Sequence, residues 1–356
     1  MKTVILSNQD QLDAFLSAGH RPEGFQIFCD NGAYFKELEC RRISFTRIDE
    51  FLLQNHWQKI NGWACGAASA WVGSARSDIA KVTYDFPSIF YLLLSHMLTN
   101  MAKNLLYARW ILDTAKPSTL VLFEYKNPLE YPRFSGNFYL NHFLSVLAAE
   151  RKLPTAVITI SQSKTWKHPQ RSSFKHAIAL HLRRFLGSAY AFLTKNAKYN
   201  GTWVYASLLH SRPILTSMKK QKIPFFFYNK TLDFSQLLYC VSHGVPYKVA
   251  SPTAIYPNKN AQNRTVRYST EILSLFDGAS QTGTFVFDGF DFASFIRSSI
   301  FCNLDDFLKS LTDSEAEYVS VLETCNVKAL LTDEDYAQRG GFLCAFLKKS
   351  GVPTFC

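Results

Sequence analysis

Apolar positions along this chain follow two periods. Continuous runs such as Thr-Leu-Val-Leu-Phe at 119–123 read as buried parallel strands. By contrast, Phe90, Leu94, Met97, Met101, Leu105, Ala108 and Leu112 recur every three or four residues and predict a helix over 88–113. The first half reads as strand 3–6, helix 10–18 stopped by Gly19, strand 25–29, strand 42–45, helix 48–72, the long helix, strand 119–123, helix 138–150 and strand 155–160.

A second series begins after Asn200-Gly201. It runs through strand 202–206, helix 213–222 with Pro213 in its first turn, strand 223–228, helix 236–242 ending at Gly244, and a loop over 251–264. Strand 284–287 follows. Thr312-Asp313-Ser314-Glu315 has the spacing of a capping box opening a helix over 316–325. Strand 327–331, helix 336–349 and a strand starting at Val352 complete the series.

Strands alternating with helices predict an α/β fold of two Rossmann-like parallel-sheet units. The 356 residues accommodate an N-terminal α/β domain over 1–162, a basic amphipathic linker helix over 163–200 and a Rossmann-like domain over 201–356. The two halves share a figure. TLVLFEY, a polar loop, a helix and RKLPTAVITI in one correspond to KALLTDEDY, a helix and KSGVPTFC in the other. Each places a carboxylate at the carboxyl end of a strand, Glu124 in the first and Asp333 or Glu334 in the second, where open α/β sheets bind ligands.

Charge sharpens the picture. The net charge is +11, and the window from Arg151 to Leu232 contains fifteen Lys and Arg residues and no acid, leaving the remainder slightly acidic. Within it, Phe174, Ile178, Phe185, Leu186, Ala189 and Leu193 fall at roughly helical spacing, interrupted by Lys175, Arg183 and Arg184 and preceded by Trp166. Such a segment suits either a linker helix with a solvated basic face or contact with an anionic membrane surface. Nucleic acid is a weaker alternative, because no recognition motif accompanies the charge.

Eight scattered cysteines without a CxxC pair, and nine histidines without HxxxH or HExxH spacing, predict reduced core thiols and no metal site. The opening apolar run is too short for a signal peptide, and no stretch reaches the length of a spanning helix, so the expected location is the cytoplasm. No Walker A or GxGxxG motif occurs, and Asp305-Asp306 reads as helix surface charge.

The segment VKALLTDEDYAQRGGFLCAFLKKSGVPTF resembles the turn that closes the first domain of GT-B glycosyltransferase-like proteins of bacterial surface-carbohydrate biosynthesis, those of capsule and lipopolysaccharide. FVFDGFDFASFIRSSI and TWVYASLLHSRPILTSMKKQKIPFFFY are similar to other parts of that domain. In the family, G-[IV]-P-T leads into Gln-His-Gly; here Gly351-Val352-Pro353-Thr354 is present and Gln-His-Gly is not. The resemblance implies a GT-B-like front half, cut in its last strand and lacking the second nucleotide-sugar domain, so that the isolated chain would not turn over. It also implies sugar transfer from a nucleotide-sugar to a glycan or lipid-linked acceptor, no covalently bound cofactor, and a cytoplasmic location with peripheral contact to the inner membrane. A non-catalytic module binding a glycan, lipid or partner protein is the alternative.

His210, Asp333 and Glu124 are the candidate catalytic groups. A base must take the acceptor hydroxyl's proton, and His210-Ser211-Arg212 lies in a strand-to-helix connection. Arg212 and Glu334 are candidates for contact with an acceptor or anion.

Overall fold

The computed structural model describes residues 1–75, 83–84, 86–125, 136–160, 199–205, 208–229, 234–249, 259–280, 283–332 and 338–355. They form two compact units, Met1–Ala68 with Leu94–Gln170, and Ser69–Leu93 with Arg171–Cys356.

The first unit is built from β1 (Lys2–Ile5), α1 (Gln9–Ser17), β2 (Phe25–Cys29), α2 (Gly32–Cys40), β3 (Thr46–Arg47), α3 (Gln54–Ala75) as far as Ala68, α4 (Phe86–Ala115) from Leu94, β4 (Thr119–Tyr125), α5 (Gly136–Glu150) and β5 (Thr155–Ile160). Its five strands are all parallel, in the order β3-β2-β1-β4-β5. One face buries Val4, Leu6, Ile27, Val121 and Phe123 against Leu12 and Phe15 of α1 and Phe35 and Leu38 of α2.

The second unit contains β6 (Tyr199–Tyr205), α6 (Leu208–Lys220), β7 (Phe225–Asn229), α7 (Phe234–His243), β8 (Tyr247–Val249) and α8 (Lys259–Ser280). The hairpin β9 (Val286–Phe287) and β10 (Phe290–Asp291) follows, then α9 (Ala293–Thr324), β11 (Cys325–Thr332), α10 (Gln338–Lys349) and β12 (Thr354–Phe355). Its sheet is again parallel throughout, in the order β12-β11-β6-β7-β8.

Counted from the first strand of each unit, both sheets run third, second, first, fourth, fifth. The figure shared by the two halves occupies equivalent places. It is the fourth strand, its helix and the fifth strand in each: β4-α5-β5 and β11-α10-β12.

Several expectations are corrected. Residues 42–45 form no strand; α2, which the apolar pattern did not reveal, ends there. Arg42 takes φ 56°, and Ile43 donates its N–H back to the Leu38 carbonyl, the geometry of a left-handed helix cap. Helix α6 starts at Leu208, so Pro213 lies inside it and not in its first turn. Residues 259–264, expected in a loop, open α8.

The Thr312–Glu315 box opens no helix, because α9 runs unbroken for 32 residues and buries both Thr312 and Glu315. Asp288 and Gly289, at φ 52° and 77°, make the β9-β10 turn, since two left-handed residues match the twist of a two-residue hairpin. Residues 69–93, expected within the N-terminal domain, belong to the second unit. There Trp71 stacks on Phe276 at 4.5 Å and donates its indole N–H to the Leu275 carbonyl at 3.3 Å.

Candidate functional site at the carboxyl ends of the strands

In an open sheet of this order, neighbouring connections leave the first and fourth strands in opposite directions, and a crevice forms between their carboxyl ends. In the first unit that crevice is visible in the register. β1 pairs with β4 only as far as Val4↔Val121, whereas its pairing with β2 continues through Ile5↔Phe28 and Leu6 N–H to the Phe28 carbonyl at 2.9 Å. Leu120 donates to the Pro154 carbonyl beside β5, so by alternation the Phe123 N–H and C=O point toward the side β1 has left.

Asn141 of α5 fills this gap. The Phe123 N–H donates to its Oδ1 at 3.3 Å, and its Nδ2 donates to the Phe123 carbonyl. One side-chain amide thus replaces the missing strand. The next residue, Glu124, is exposed at the rim, at the strand end where the sequence placed it.

The turn after β1 is closed by its own side chains. The Ser7 N–H donates to Gln11 Oε1 at 2.7 Å, the Gln11 N–H donates to Asn8 Oδ1 at 2.9 Å, and Asn31 Nδ2 donates to the Ser7 carbonyl at 2.8 Å. A pyrophosphate cradle needs such N–H groups free and usually a glycine for close approach. Here both are engaged, and residues 6–11 contain no glycine.

Asp30 follows β2, where a dinucleotide-binding unit would hold its ribose. Burial pushes its carboxyl above the ordinary carboxylate range, while the Ser7 hydroxyl and the Lys103 ammonium act the other way. Burial equally lowers Lys103, with Asp30 opposing. Lys103 also lies 5.9 Å over the Tyr107 ring. Sequence reasoning passed over Ser7, Asp30, Lys103 and Asn141; an acid immediately after a buried strand was the signal for Asp30.

At the opposite, amino end of the same sheet lies an open depression of about 710 Å³, lined in part by Phe25, Ile43, Phe45, Arg41 and Arg42.

In the second unit β6 and β11 stay paired from Tyr199↔Cys325 to Tyr205↔Thr332, with one irregularity between Val327 and Ala329. Two carboxylates of α9 are buried behind this sheet. Glu315 accepts from Tyr84 Oη at 2.6 Å and from Tyr268 Oη at 3.2 Å, and burial with these bonds pushes the Tyr84 phenol far up. Glu317 bonds Tyr228, whose phenol burial likewise raises. Glu315 is a structural anchor bonded by two tyrosines, whereas Glu317 lies beside Tyr228, the penultimate residue of β7, and so close to the carboxyl end of that strand.

Of the other candidates, Arg212 is exposed on α6, with its guanidinium 4.8 Å over the Tyr239 ring of α7. His210 is carried by the same helix, past the end of β6; its side chain lies outside the description. Glu124 belongs to the first unit, His210 and Arg212 to the second. Asp333, Glu334, Trp166, Lys175, Arg183 and Arg184 lie outside the described residues. Among the described residues no group of three His, Cys, Asp or Glu side chains could hold a metal ion, and no helix is long and apolar enough to cross a membrane.

Fold and site define an α/β protein of two five-stranded parallel sheets of the Rossmann-like kind, each with the same strand order. Compared with known proteins, the chain matches no family model, no curated protein and no solved structure.

Proposed function

We propose that this chain takes part in sugar transfer from a nucleotide-sugar to a glycan or lipid-linked acceptor, as GT-B glycosyltransferases do in surface-polysaccharide assembly. The observation carrying the reading is the recurrence of one strand order in two parallel sheets of a single chain, since open sheets of this kind bind ligands beside the switch point at the carboxyl ends of their strands. Glu124, exposed beside the first switch point, has the chemistry to accept a hydrogen bond from a sugar hydroxyl or to take its proton. Arg212 offers a cation to an anionic group.

A thermal-shift and calorimetric titration of the chain with UDP-, GDP- and CMP-sugars, each with and without oligosaccharide acceptors, tests this. Saturable binding of at least one sugar nucleotide or acceptor, weakened about tenfold or more by Glu124→Gln, is the expected result. Absence of binding across the whole panel would overturn the reading.

One observation favours a second reading, a non-catalytic binding module. The first-turn N–H groups that would hold a diphosphate in the first unit are taken by Gln11 and Asn8. Acceptor binding without any response to nucleotide-sugars would favour this alternative.

A further inference from the structure

Helices α6 and α7 lie side by side on one face of the second sheet. Leu215 and Met218 of α6 and Cys240 of α7 enter the same core as Val204, Phe225, Phe227 and Tyr247. Two cross-links join the helices: the Arg212 guanidinium over the Tyr239 ring, and Lys219 Nζ donating to the His243 carbonyl. Tyr239 and His243 stack at 4.1 Å.

The outward side of this layer is unusual in two ways. It leaves large aliphatic side chains in solvent: Leu238 at 58%, Val241 at 61% and Ile214 at 42% exposure, with Ile223 just past α6. It is also purely basic. Residues 199–229 and 234–249 contain no Asp or Glu, while Arg212, Lys219, Lys220 and Lys222 are all exposed.

Each feature alone is ordinary; scattered surface leucines and solvated lysines need no explanation. Together they select an occupant. A nucleic acid backbone satisfies lysines and arginines but has no use for exposed leucine, valine and isoleucine. An acidic protein partner would match the charge, but the exposed aliphatic side chains here are few and come from two helices, Ile214 from α6 and Leu238 and Val241 from α7. A surface that is both anionic and penetrable by small apolar side chains answers both halves, and that is the headgroup region of an anionic bilayer.

We propose that the α6-α7 face is a membrane-docking surface. Leu238 and Val241 enter the acyl boundary, and Lys219, Lys220, Lys222 and Arg212 meet lipid phosphates. Its residues lie outside the basic segment at 163–200 in the sequence, and the docking reading is independent of the glycosyltransferase reading.

The test is co-sedimentation of the full chain with vesicles of phosphatidylcholine alone and of phosphatidylcholine with 30–40% phosphatidylserine or phosphatidylglycerol, together with free glycerol phosphate as competitor. Binding to the anionic vesicles only, weakened by salt and untouched by the soluble phosphate, is expected. Leu238→Ser with Val241→Ser, both exposed and therefore compatible with folding, lowers the partition constant about tenfold. Each of Lys219→Gln, Lys220→Gln and Lys222→Gln lowers it about fivefold.

Vesicle binding by the Leu238→Ser, Val241→Ser variant equal to the parent would overturn the proposal and move the contact elsewhere. So would tight binding of duplex DNA that the same two substitutions leave unchanged.

Discussion

Tyr84 donates its phenolic hydrogen to Oε1 of Glu315 at 2.6 Å, tying residues 83–84 to the buried middle of α9. Tyr268 bonds the same carboxylate, and the Thr83 N–H and hydroxyl reach Glu271 on α8 at 2.9 and 3.0 Å. The short 83–84 stretch is therefore held by two carboxylates from two helices. Tyr84→Phe removes one bond to a buried acid and is expected to cost about 1.5–3 kcal/mol in urea unfolding. Glu315→Ala is expected to cost more, since it strips a partner from two buried hydroxyls at once. A Glu315→Ala variant as stable as the parent would refute this anchoring role.

Gly201 adopts φ 109°, and a Cβ there would collide with the Pro224 carbonyl, which accepts the neighbouring Thr202 N–H at 2.9 Å. Neither strain is relieved by moving a flexible side chain. Gly201→Ala is expected to lower stability by about 3 kcal/mol or more, whereas Gly19→Ala, strained in φ but open in space, costs about 1–2 kcal/mol. Thermal or urea unfolding of the two variants side by side checks the order.

Asn141 stands in for a strand at the first switch point. Asn141→Ala leaves the Phe123 N–H and C=O without that partner and is expected to cost about 1–3 kcal/mol. Hydrogen exchange should accelerate at the Phe123 amide first, ahead of its neighbours on the β5 side. Uniform acceleration over all of β4 would instead indicate general loosening of the unit.

Burial pushes the thiols of Cys29 and Cys240 from 9.0 up to about 12. A folded value above the unfolded one means the native state holds its proton longer. Their contribution to stability is thus intact below pH 9 and lost as pH rises from about 9 toward 12. Tyr84 and Tyr228, also raised, steepen the loss above the ordinary phenol range. Unfolding free energy should therefore fall across the alkaline range. At neutral pH iodoacetamide should label exposed Cys40 and Cys65 rapidly and Cys29 and Cys240 only after denaturation, as mass spectrometry would show.

Fold class was legible because parallel strands write themselves as apolar runs: β2, whose last three residues are buried, and β5, an edge strand with only Ile160 buried, are both found at their expected bounds. Helix α2 escaped detection because its nine residues bury only Tyr34, Phe35 and Leu38, too few to establish a period. The Thr312–Glu315 motif misled because local spacing cannot distinguish a carboxylate that caps a helix from one bonded by distant tyrosines. The place of Glu124 at the carboxyl end of a strand was legible from the apolar run before it. The meeting of Asp30 with Lys103, and of Asn141 with Phe123, was not, because residues far apart in the chain must meet before their chemistry exists.

The central claim is that a sugar nucleotide or its acceptor engages the carboxyl edges of these sheets. Photoaffinity labelling with azido derivatives of UDP-, GDP- and ADP-hexoses, followed by peptide mapping, tests it most directly. The account predicts labelling at the strand ends, in peptides containing Glu124 or the residues after β6 and β11, suppressed by excess unmodified nucleotide-sugar. Label that no nucleotide-sugar suppresses, or that is confined to the Phe25–Arg42–Phe45 depression at the amino end, would contradict it.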